Sequence, residues 1–191
     1  SRDGDAEIFV MNADGTEIRQ LTNIGDKGEY IESIFPAWSP DGNQIAFESN
    51  RYGMYEIFVM NADGTDIYSI GQDGGEPAWS PDGKQIAFVS WRYGDPEIFV
   101  MNADGTEVYS TGQQGSQPDW SPDGKQIAFV SWRYGDDEIF VMNADGTEVR
   151  QLTNHARSDE SPTWSPDGKQ IAFESGRSSG SQIFVMNADG T

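Results

Sequence analysis

Residues 77–111 read PAWSPDGKQIAFVSWRYGDPEIFVMNADGTEVYST, and two segments of this stretch recur along the chain. The segment Trp-Ser-Pro-Asp-Gly begins at Trp38, Trp79, Trp120 and Trp164. The segment Ile-Phe-Val-Met-Asn-Ala-Asp-Gly-Thr begins at Ile8, Ile57, Ile98, Ile139 and Ile183. Successive tryptophans of the first segment are 41, 41 and 44 residues apart. A nearly fixed period of this length indicates a repeat architecture, in which each copy is one supersecondary unit.

Each copy is expected to form four short β-strands joined by tight turns. In this copy the turns fall at 81–83 and 102–105, because the glycine of Asp-Gly accepts the positive φ that hairpin turns need. The third strand, residues 97–101, is apolar at successive positions, so Ile98 and Phe99 face opposite sides and both sides must be covered. Radially stacked four-stranded sheets provide that cover. The sequence therefore predicts an all-β fold, a β-propeller of four-stranded antiparallel blades, with the repeated tryptophans buried between blades.

One long motif joins these segments: Pro-x-Trp-Ser-Pro-Asp-Gly-Lys-Gln-Ile-Ala-Phe-x-Ser-x-Arg, then Ile-Phe-Val-Met-Asn-Ala-Asp-Gly-Thr, then Arg-Gln-Leu-Thr. The motif resembles the TolB-type β-propeller repeat, and the resemblance covers essentially the whole chain. It implies a propeller that commonly binds protein or another ligand, frequently in exported or periplasmic bacterial proteins. A periplasmic or secreted location is thus expected from the resemblance alone, because the chain itself contains no signal peptide.

The repeats predict a single propeller domain over residues 1–191. A partial blade at 1–22 supplies a third and a fourth strand, and a final partial repeat at 162–191 supplies a first, a second and a third. The complete repeats lie between them, at about 36–70, 77–111 and 118–153. This inventory corresponds to about four blades, with one third strand in excess.

Three arrangements of the ends stay open. The chain is a four-bladed ring with one extra end strand, a part of a larger ring, or half of a ring of about eight blades built from two chains. Of these we expect ring closure through the N-terminal fourth strand, so the protein is either a monomer or a ring-closing homodimer. An open arc would expose blade edges and apolar faces and would associate.

The charge balance excludes several partners. The chain has 32 acidic and 12 basic residues, for a formal net charge of −20. Such a surface disfavours nucleic acid, whose phosphates require lysine and arginine, and disfavours docking on anionic membranes. No apolar run approaches the length of a membrane span, so we expect no membrane insertion. The absence of cysteine excludes disulfides and thiolate metal sites.

No cofactor is predicted. The Asp-Gly turns offer one or two oxygen ligands each, whereas calcium needs about six, so we interpret them as structural. A calcium ion in the axial channel remains an alternative, although the innermost strands carry a mixed set at one position, namely Ala37, Ala78, Asp119 and Thr163. Residues 176–180 match the Gly-x-Ser-x-Gly elbow, but that motif needs a strand-to-helix turn and a positioned histidine. We therefore predict no enzyme.

The loop between strands two and three carries the candidate binding residues. Its arginine occurs in every copy, which indicates a structural contact to a turn aspartate or a backbone carbonyl. Its aromatic residues occur in only some copies, and large aromatics beside arginine are typical of recognition surfaces. Packing over neighbouring blades is the alternative interpretation. The predicted ligand-binding residues are Tyr52, Trp91, Arg92, Tyr93, Trp132, Arg133 and Tyr134.

These observations favour a non-catalytic binding module that acts through its loop-bearing mouth, with a protein or peptide preferred over a glycan. Two alternatives remain. The near-identity of the copies is also typical of a purely structural repeat scaffold, amplified recently or engineered. The chain could also be the propeller part of a hydrolase or lyase whose catalytic residues lie elsewhere.

Overall fold

The computed structural model of the protein describes residues 6–23, 31–178 and 180–191. These residues form strands and no helix, and therefore include no helix of the length and apolar character that crossing a membrane requires. The strands are β1 (Phe9–Val10), β2 (Arg19–Gln20), β3 (Ser33–Trp38), β4 (Gln44–Ser49), β5 (Glu56–Asn61), β6 (Tyr68–Asp73), β7 (Gly75–Trp79), β8 (Gln85–Ser90), β9 (Glu97–Asn102), β10 (Tyr109–Gln114), β11 (Ser116–Trp120), β12 (Gln126–Ser131), β13 (Glu138–Asn143), β14 (Arg150–Gln151), β15 (Asp159–Trp164), β16 (Gln170–Ser178) and β17 (Gly180–Asn187).

The strands assemble into five antiparallel sheets that follow one another in chain order. Three sheets are complete four-stranded blades, which we call blades 1, 2 and 3: β3–β6, β7–β10 and β11–β14. A two-stranded sheet, β1–β2, precedes them, and a three-stranded sheet, β15–β17, follows them. The first strands of successive blades lie against each other, which places β3, β7, β11 and β15 on the inside of the array. The chain is a partial propeller of about four blades, and the predicted all-β fold of four-stranded antiparallel blades is confirmed.

The repeated turns are held by their own aspartates. In blade 2, Asp82 Oδ1 accepts hydrogen bonds from Ser80 Oγ at 2.8 Å and from Lys84 N at 3.1 Å. In the second kind of turn, Asp104 Oδ1 accepts from Thr106 N at 3.0 Å. The hydrogen bond from the Ser80 side chain is the largest cause that lowers the pKa of Asp82. These carboxylates therefore act within the turns, as expected of residues present in every copy.

Apolar layers between the sheets form the core. Ile98 and Val100 face blade 3, whereas Phe99 and Met101 face blade 1, which confirms the opposite orientation predicted for alternate residues of the third strand. The same rule holds along the array. Each complete blade contributes alanine, isoleucine and valine to the layer that it shares with the next sheet, and the next sheet contributes isoleucine, phenylalanine and methionine. Because each fully buried side chain of this size contributes about 1.5–3 kcal/mol, these layers dominate the stability of the array.

Ring closure through the N-terminal fourth strand, as predicted, is wrong. Among the described residues, β2 pairs with β1 alone, and β17 is the last strand of its sheet. The structure shows another pairing: Phe9 lies opposite Gln20 and Val10 opposite Arg19, and Ile8 and Leu21 beside this pair are buried against blade 1. The array is consequently open. Ile183 and Val185 are 73% and 59% exposed, whereas their equivalents in the three complete blades are fully buried.

The predicted burial of the repeated tryptophans holds for only part of the set. Trp120 is 6% exposed, and its indole Nε1 donates to Ala78 O of the preceding blade. Trp38 is 49% exposed because the sheet in front of it, β1–β2, has no inner strands on which an indole could lie.

Candidate functional site

The repeated arginine lies over a phenylalanine of its own blade. The guanidinium carbons of Arg51, Arg92 and Arg133 are 4.8 or 4.9 Å from a phenylalanine ring centre. The Nε of each also donates to a serine Oγ at the end of the second strand. The arginine is thus a structural contact, but its partners in these three copies are a ring, a hydroxyl and, for Arg92 and Arg133, a glutamine side chain, rather than the expected turn aspartate or backbone carbonyl.

The predicted aromatic residues occupy equivalent loops of successive blades and do not converge on one point. Tyr52, Tyr93 and Tyr134 each lean on the phenylalanine under the arginine, with ring centres 5.6 to 6.1 Å apart, and remain 71–77% exposed. Trp91 and Trp132 are also exposed. Of the seven predicted residues, Trp91 and Arg92 line a cavity of about 600 Å³.

This cavity, here called the blade cleft, opens between blades 1 and 2 on the side of the strand-two to strand-three loops. One wall comes from β3, β4 and the following loop of blade 1, and the other from the start of β7 and the equivalent loop of blade 2. The lining residues are Ile34, Phe35, Glu48, Met54, Tyr55, Asp73, Gly74, Glu76, Trp91 and Arg92.

Departures from the repeat create the blade cleft. Glu48 stands where blades 2 and 3 have Val89 and Val130. Gly75, which faces it across the interface, has no side chain, and a Cβ there would overlap the Glu48 carboxylate. At the next interface the equivalent residue is Ser116, opposite a valine. Gly75 and Glu48 therefore fit each other sterically, and the interface between blades 2 and 3 lacks this combination.

Glu48 is held in a negative environment. Its side chain is 5% exposed, and Oε2 accepts a hydrogen bond from Glu76 N at 3.2 Å. Burial raises the pKa of Glu48 to about 7, against the lowering effect of that hydrogen bond, and the charges of Glu76 and Glu32 raise it further. Burial also raises the pKa of Glu76.

The innermost strands link successive blades through side chains. Glu76 and Gln117 each have a positive φ, and each accepts a hydrogen bond from the next blade, from Gln117 N and Ser161 N respectively, both at 2.6 Å. Phe35 holds the same place in blade 1 and has no acceptor, so Glu48 takes its role toward Glu76 N. One carboxylate oxygen of Glu48, Oε2, therefore serves as a structural hydrogen-bond acceptor between blades 1 and 2.

The axial channel holds a second cavity of about 410 Å³. Its Asp119 accepts from Trp164 N at 2.7 Å, and burial raises the pKa of this carboxyl. In the part of the chain that the structure describes, no group of three or more histidine or acidic side chains is placed to hold a metal ion. The axial calcium alternative therefore gains no ligand set from these residues.

Three stretches fall outside the described residues: 1–5 of the partial blade, 24–30 between the partial blade and the first complete repeat, and Ser179 of the Gly-x-Ser-x-Gly segment. The described part of the Gly-x-Ser-x-Gly segment belongs to the β16–β17 hairpin rather than to a strand-to-helix turn. His155 lies near Tyr134 around a smaller cavity of about 220 Å³.

The sequence-based prediction did not include Glu48, Gly75 and Met54, because the aromatic residues of the loops are the departures from the repeat that stand out most. The signal was present in the repeats. Met54 and Tyr55 replace an Asp-Pro pair at 95–96, and Glu48 replaces valine. A position-by-position comparison of buried strand residues would have found the departures that form the blade cleft.

Comparison with known proteins supports the fold. The model of the TolB beta propeller domain matches residues 29–117 and 76–191. The structure is similar to TolB from Acinetobacter baumannii, with 26% identity and a TM-score of 0.82 over 95% of this chain and 46% of that one. A putative TolB from Agrobacterium tumefaciens has 25% identity and a TM-score of 0.77, over 96% and 77% of the two chains.

Enzymes share this fold as well. An oligogalacturonate lyase from Vibrio parahaemolyticus is 18% identical, with a TM-score of 0.66 over 97% of this chain and 57% of the lyase. Among curated proteins, no sequence matches the chain. The chain spans about half the length of the Acinetobacter TolB. The resemblance drawn from the repeated motif is confirmed, and because the family model matches most of its length, the chain belongs to the TolB β-propeller family.

Proposed function

We propose that the protein is a non-catalytic binding module that takes a protein or peptide at its loop-bearing face. The observation that supports this most directly is the blade cleft, a concave site of about 600 Å³ with apolar walls and a few polar groups. Ligand sites have this composition and size, about 300–1,000 Å³. Trp91 at the rim is the kind of exposed aromatic residue on which binding energy concentrates.

The polar groups near the mouth favour binding over catalysis. Arg92 is held between Phe99, Ser90 and Gln72, and Glu76 is committed to the backbone of the next blade. A catalytic pair would instead need a nucleophile and a base within hydrogen-bond reach of each other. A peptide suits the apolar, acidic cleft better than a glycan, whose hydroxyls require several amide and hydroxyl partners.

Two alternatives keep some support. The similarity to lyase propellers, together with the partial coverage of those chains, leaves room for catalytic residues elsewhere in a larger protein. The near-identical blades are equally typical of a scaffold without a ligand.

For the assembly, the open apolar ends favour association of two chains over a lone monomer.

Selection of a displayed random peptide library on the protein tests the proposal. Binding of the selected peptides is then measured by fluorescence anisotropy for two matched variants. Trp91→Ala should weaken binding at least tenfold with a melting temperature close to that of the parent, whereas Trp132→Ala, equivalent by repeat but outside the blade cleft, should bind normally. Peptides that bind both variants equally well, or a library that yields no binder, would contradict the proposal.

A further inference from the structure

Glu48 is a buried carboxylate without a cation. Among the described residues it accepts one hydrogen bond, at Oε2, and takes part in none of the ion pairs, so Oε1 has no donor. The other two buried carboxylates outside the turns have more partners: Glu138 accepts a hydrogen bond at each oxygen, from Thr153 Oγ1 and His155 N, and Asp159 pairs with Arg177. Burying an ionised carboxylate costs several kcal/mol unless a positive group compensates it.

The space in front of Glu48 is available to such a group. Gly75 makes room for the Glu48 carboxylate at the interface, and Glu48 lines the cavity of about 600 Å³ between blades 1 and 2. Where valine replaces the glutamate, in blades 2 and 3, the facing positions carry Ser116 and Glu160 instead of glycine. The carboxylate and its access therefore occur together, at one interface of the array.

The walls of the blade cleft suit a cation on an alkyl stem. Phe35, Met54 and Trp91 are exposed aromatic or thioether side chains, which pack against methylene groups and attract positive charge to their ring faces. Lysine and arginine combine a stem and a charged end of this kind. A purely apolar ligand would leave the carboxylate unpaired.

The charges around the blade cleft also favour a positively charged ligand. Glu48, Asp73 and Glu76 line it against one positive side chain, Arg92, whose guanidinium donates to Gln72 Oε1 at 3.0 Å. The charge of Glu32 also acts on Glu48 and raises its pKa, and Tyr55 donates to Glu32 at 2.6 Å. An anionic ligand would enter a net negative site on a chain whose formal charge is −20, whereas a cation is attracted to it.

We infer that the blade cleft binds the ammonium or guanidinium of a lysine or arginine side chain of a partner polypeptide, with Glu48 as its counter-ion and Phe35 and Trp91 beside its stem. This inference rests on the proposed function and names the chemistry of the ligand at that site. It requires no residue outside the described part of the chain.

The test uses blocked tripeptides, acetyl-Gly-Xaa-Gly-amide, with lysine, arginine, norleucine or glutamate at Xaa. Titration is followed by NMR through the indole N–H of Trp91. The lysine and arginine peptides should shift this signal and saturate, at least tenfold more tightly than norleucine, whereas the glutamate peptide should not bind. Glu48→Val should abolish the difference between lysine and norleucine, and it should fold because valine is the native residue at this position in blades 2 and 3.

Glu174→Val is the matched control, because Glu174 holds the same repeat position in the last sheet and lies outside the cleft, so its lysine binding should be unchanged. Norleucine binding as tightly as lysine would overturn the inference and leave the proposed binding function standing. Lysine binding that survives Glu48→Val would also overturn it. Absence of binding by all four peptides, with no library peptide dependent on Trp91, would overturn both.

Discussion

The indole Nε1 of Trp120 donates a hydrogen bond to the carbonyl oxygen of Ala78, 3.1 Å away in the preceding blade. Trp79 makes the same bond to Ala37 O at 3.2 Å. One side chain thus joins the innermost strand of its own blade to that of the blade before it. Trp38 has no such partner strand in front of it among the described residues, and its indole is half exposed.

The two tryptophans should consequently differ in their contribution to stability. Trp120→Ala removes a buried aromatic side chain and should lower the free energy of unfolding by about 3–5 kcal/mol. Trp38→Ala, at the same repeat position, should cost about 1 kcal/mol or less, because its ring is already in contact with water. Urea unfolding followed by circular dichroism compares them. Equal losses would show that the indole does not act through the preceding blade.

Gly75 and Glu48 should be coupled energetically. Gly75→Ala places a Cβ inside the Glu48 carboxylate and should destabilise the protein by roughly 1–3 kcal/mol. In a Glu48→Val background the same substitution should be nearly neutral, since the third blade places a serine over a valine at this contact. A double-mutant cycle from urea unfolding gives the coupling. Additive effects of the two substitutions would contradict the steric match.

Glu48 should make the protein less stable as the pH rises. Its folded-state pKa of about 7 lies above the ordinary value of 4.5, so between these pH values the folded protein holds a proton that the unfolded chain has lost. The stabilisation from this proton is complete below about pH 4.5 and is lost as the pH rises through 7. At about 1.4 kcal/mol per pH unit between 4.5 and about 7, the change is at most about 3.5 kcal/mol.

The comparison with Glu48→Gln isolates this effect from the turn aspartates, whose lowered pKa values act in the opposite direction at acid pH. The difference in unfolding free energy between the parent and the variant should move in favour of the variant between pH 5 and pH 8. A difference that stays constant over this range would mean that Glu48 titrates normally in the folded protein.

The last sheet should promote self-association. Ile183 and Val185 expose the surface that every complete blade buries against its successor, and Phe9 is exposed at the other end of the array, where its repeat equivalents are buried. Ile183→Lys should therefore shift the protein toward the monomer in light scattering coupled to gel filtration. Tyr134→Lys, a comparable change on an exposed loop, should leave the mass unchanged. A parent protein that is monomeric at high concentration would contradict the prediction.

Local sequence patterns predicted the blades well because local rules govern them. The second and third strands, such as β8 and β9, lie where the apolar runs place them, and the Asp-Gly turns join β7 to β8 and β9 to β10 as expected. The path of the ends was not predictable in this way. Pairing of β2 with β17 or with β1 is equally compatible with strand patterning, and the structure pairs β2 with β1, with Ile8 and Leu21 buried on blade 1.

The candidate site was predicted only at its rim. Trp91 and Arg92 were recognisable because aromatic residues in loops stand out from the repeat. Glu48 lies inside a strand that is otherwise hydrophobic, and its significance depends on Gly75, which is distant in sequence but adjacent across the interface. A relationship of that kind becomes visible only when the stacking of the sheets is known.

The hydrogen bonds between innermost strands allow such an array to change length by whole repeats. Glu76 and Gln117 each accept from the backbone of the following blade, and each donates its own backbone N–H to a side chain of the preceding one. Blades 2 and 3 therefore each carry both halves of the same joint, one at each side. Insertion or deletion of a whole repeat would restore the joint with its neighbours, so duplication of the gene segment could lengthen the protein without inventing a new contact.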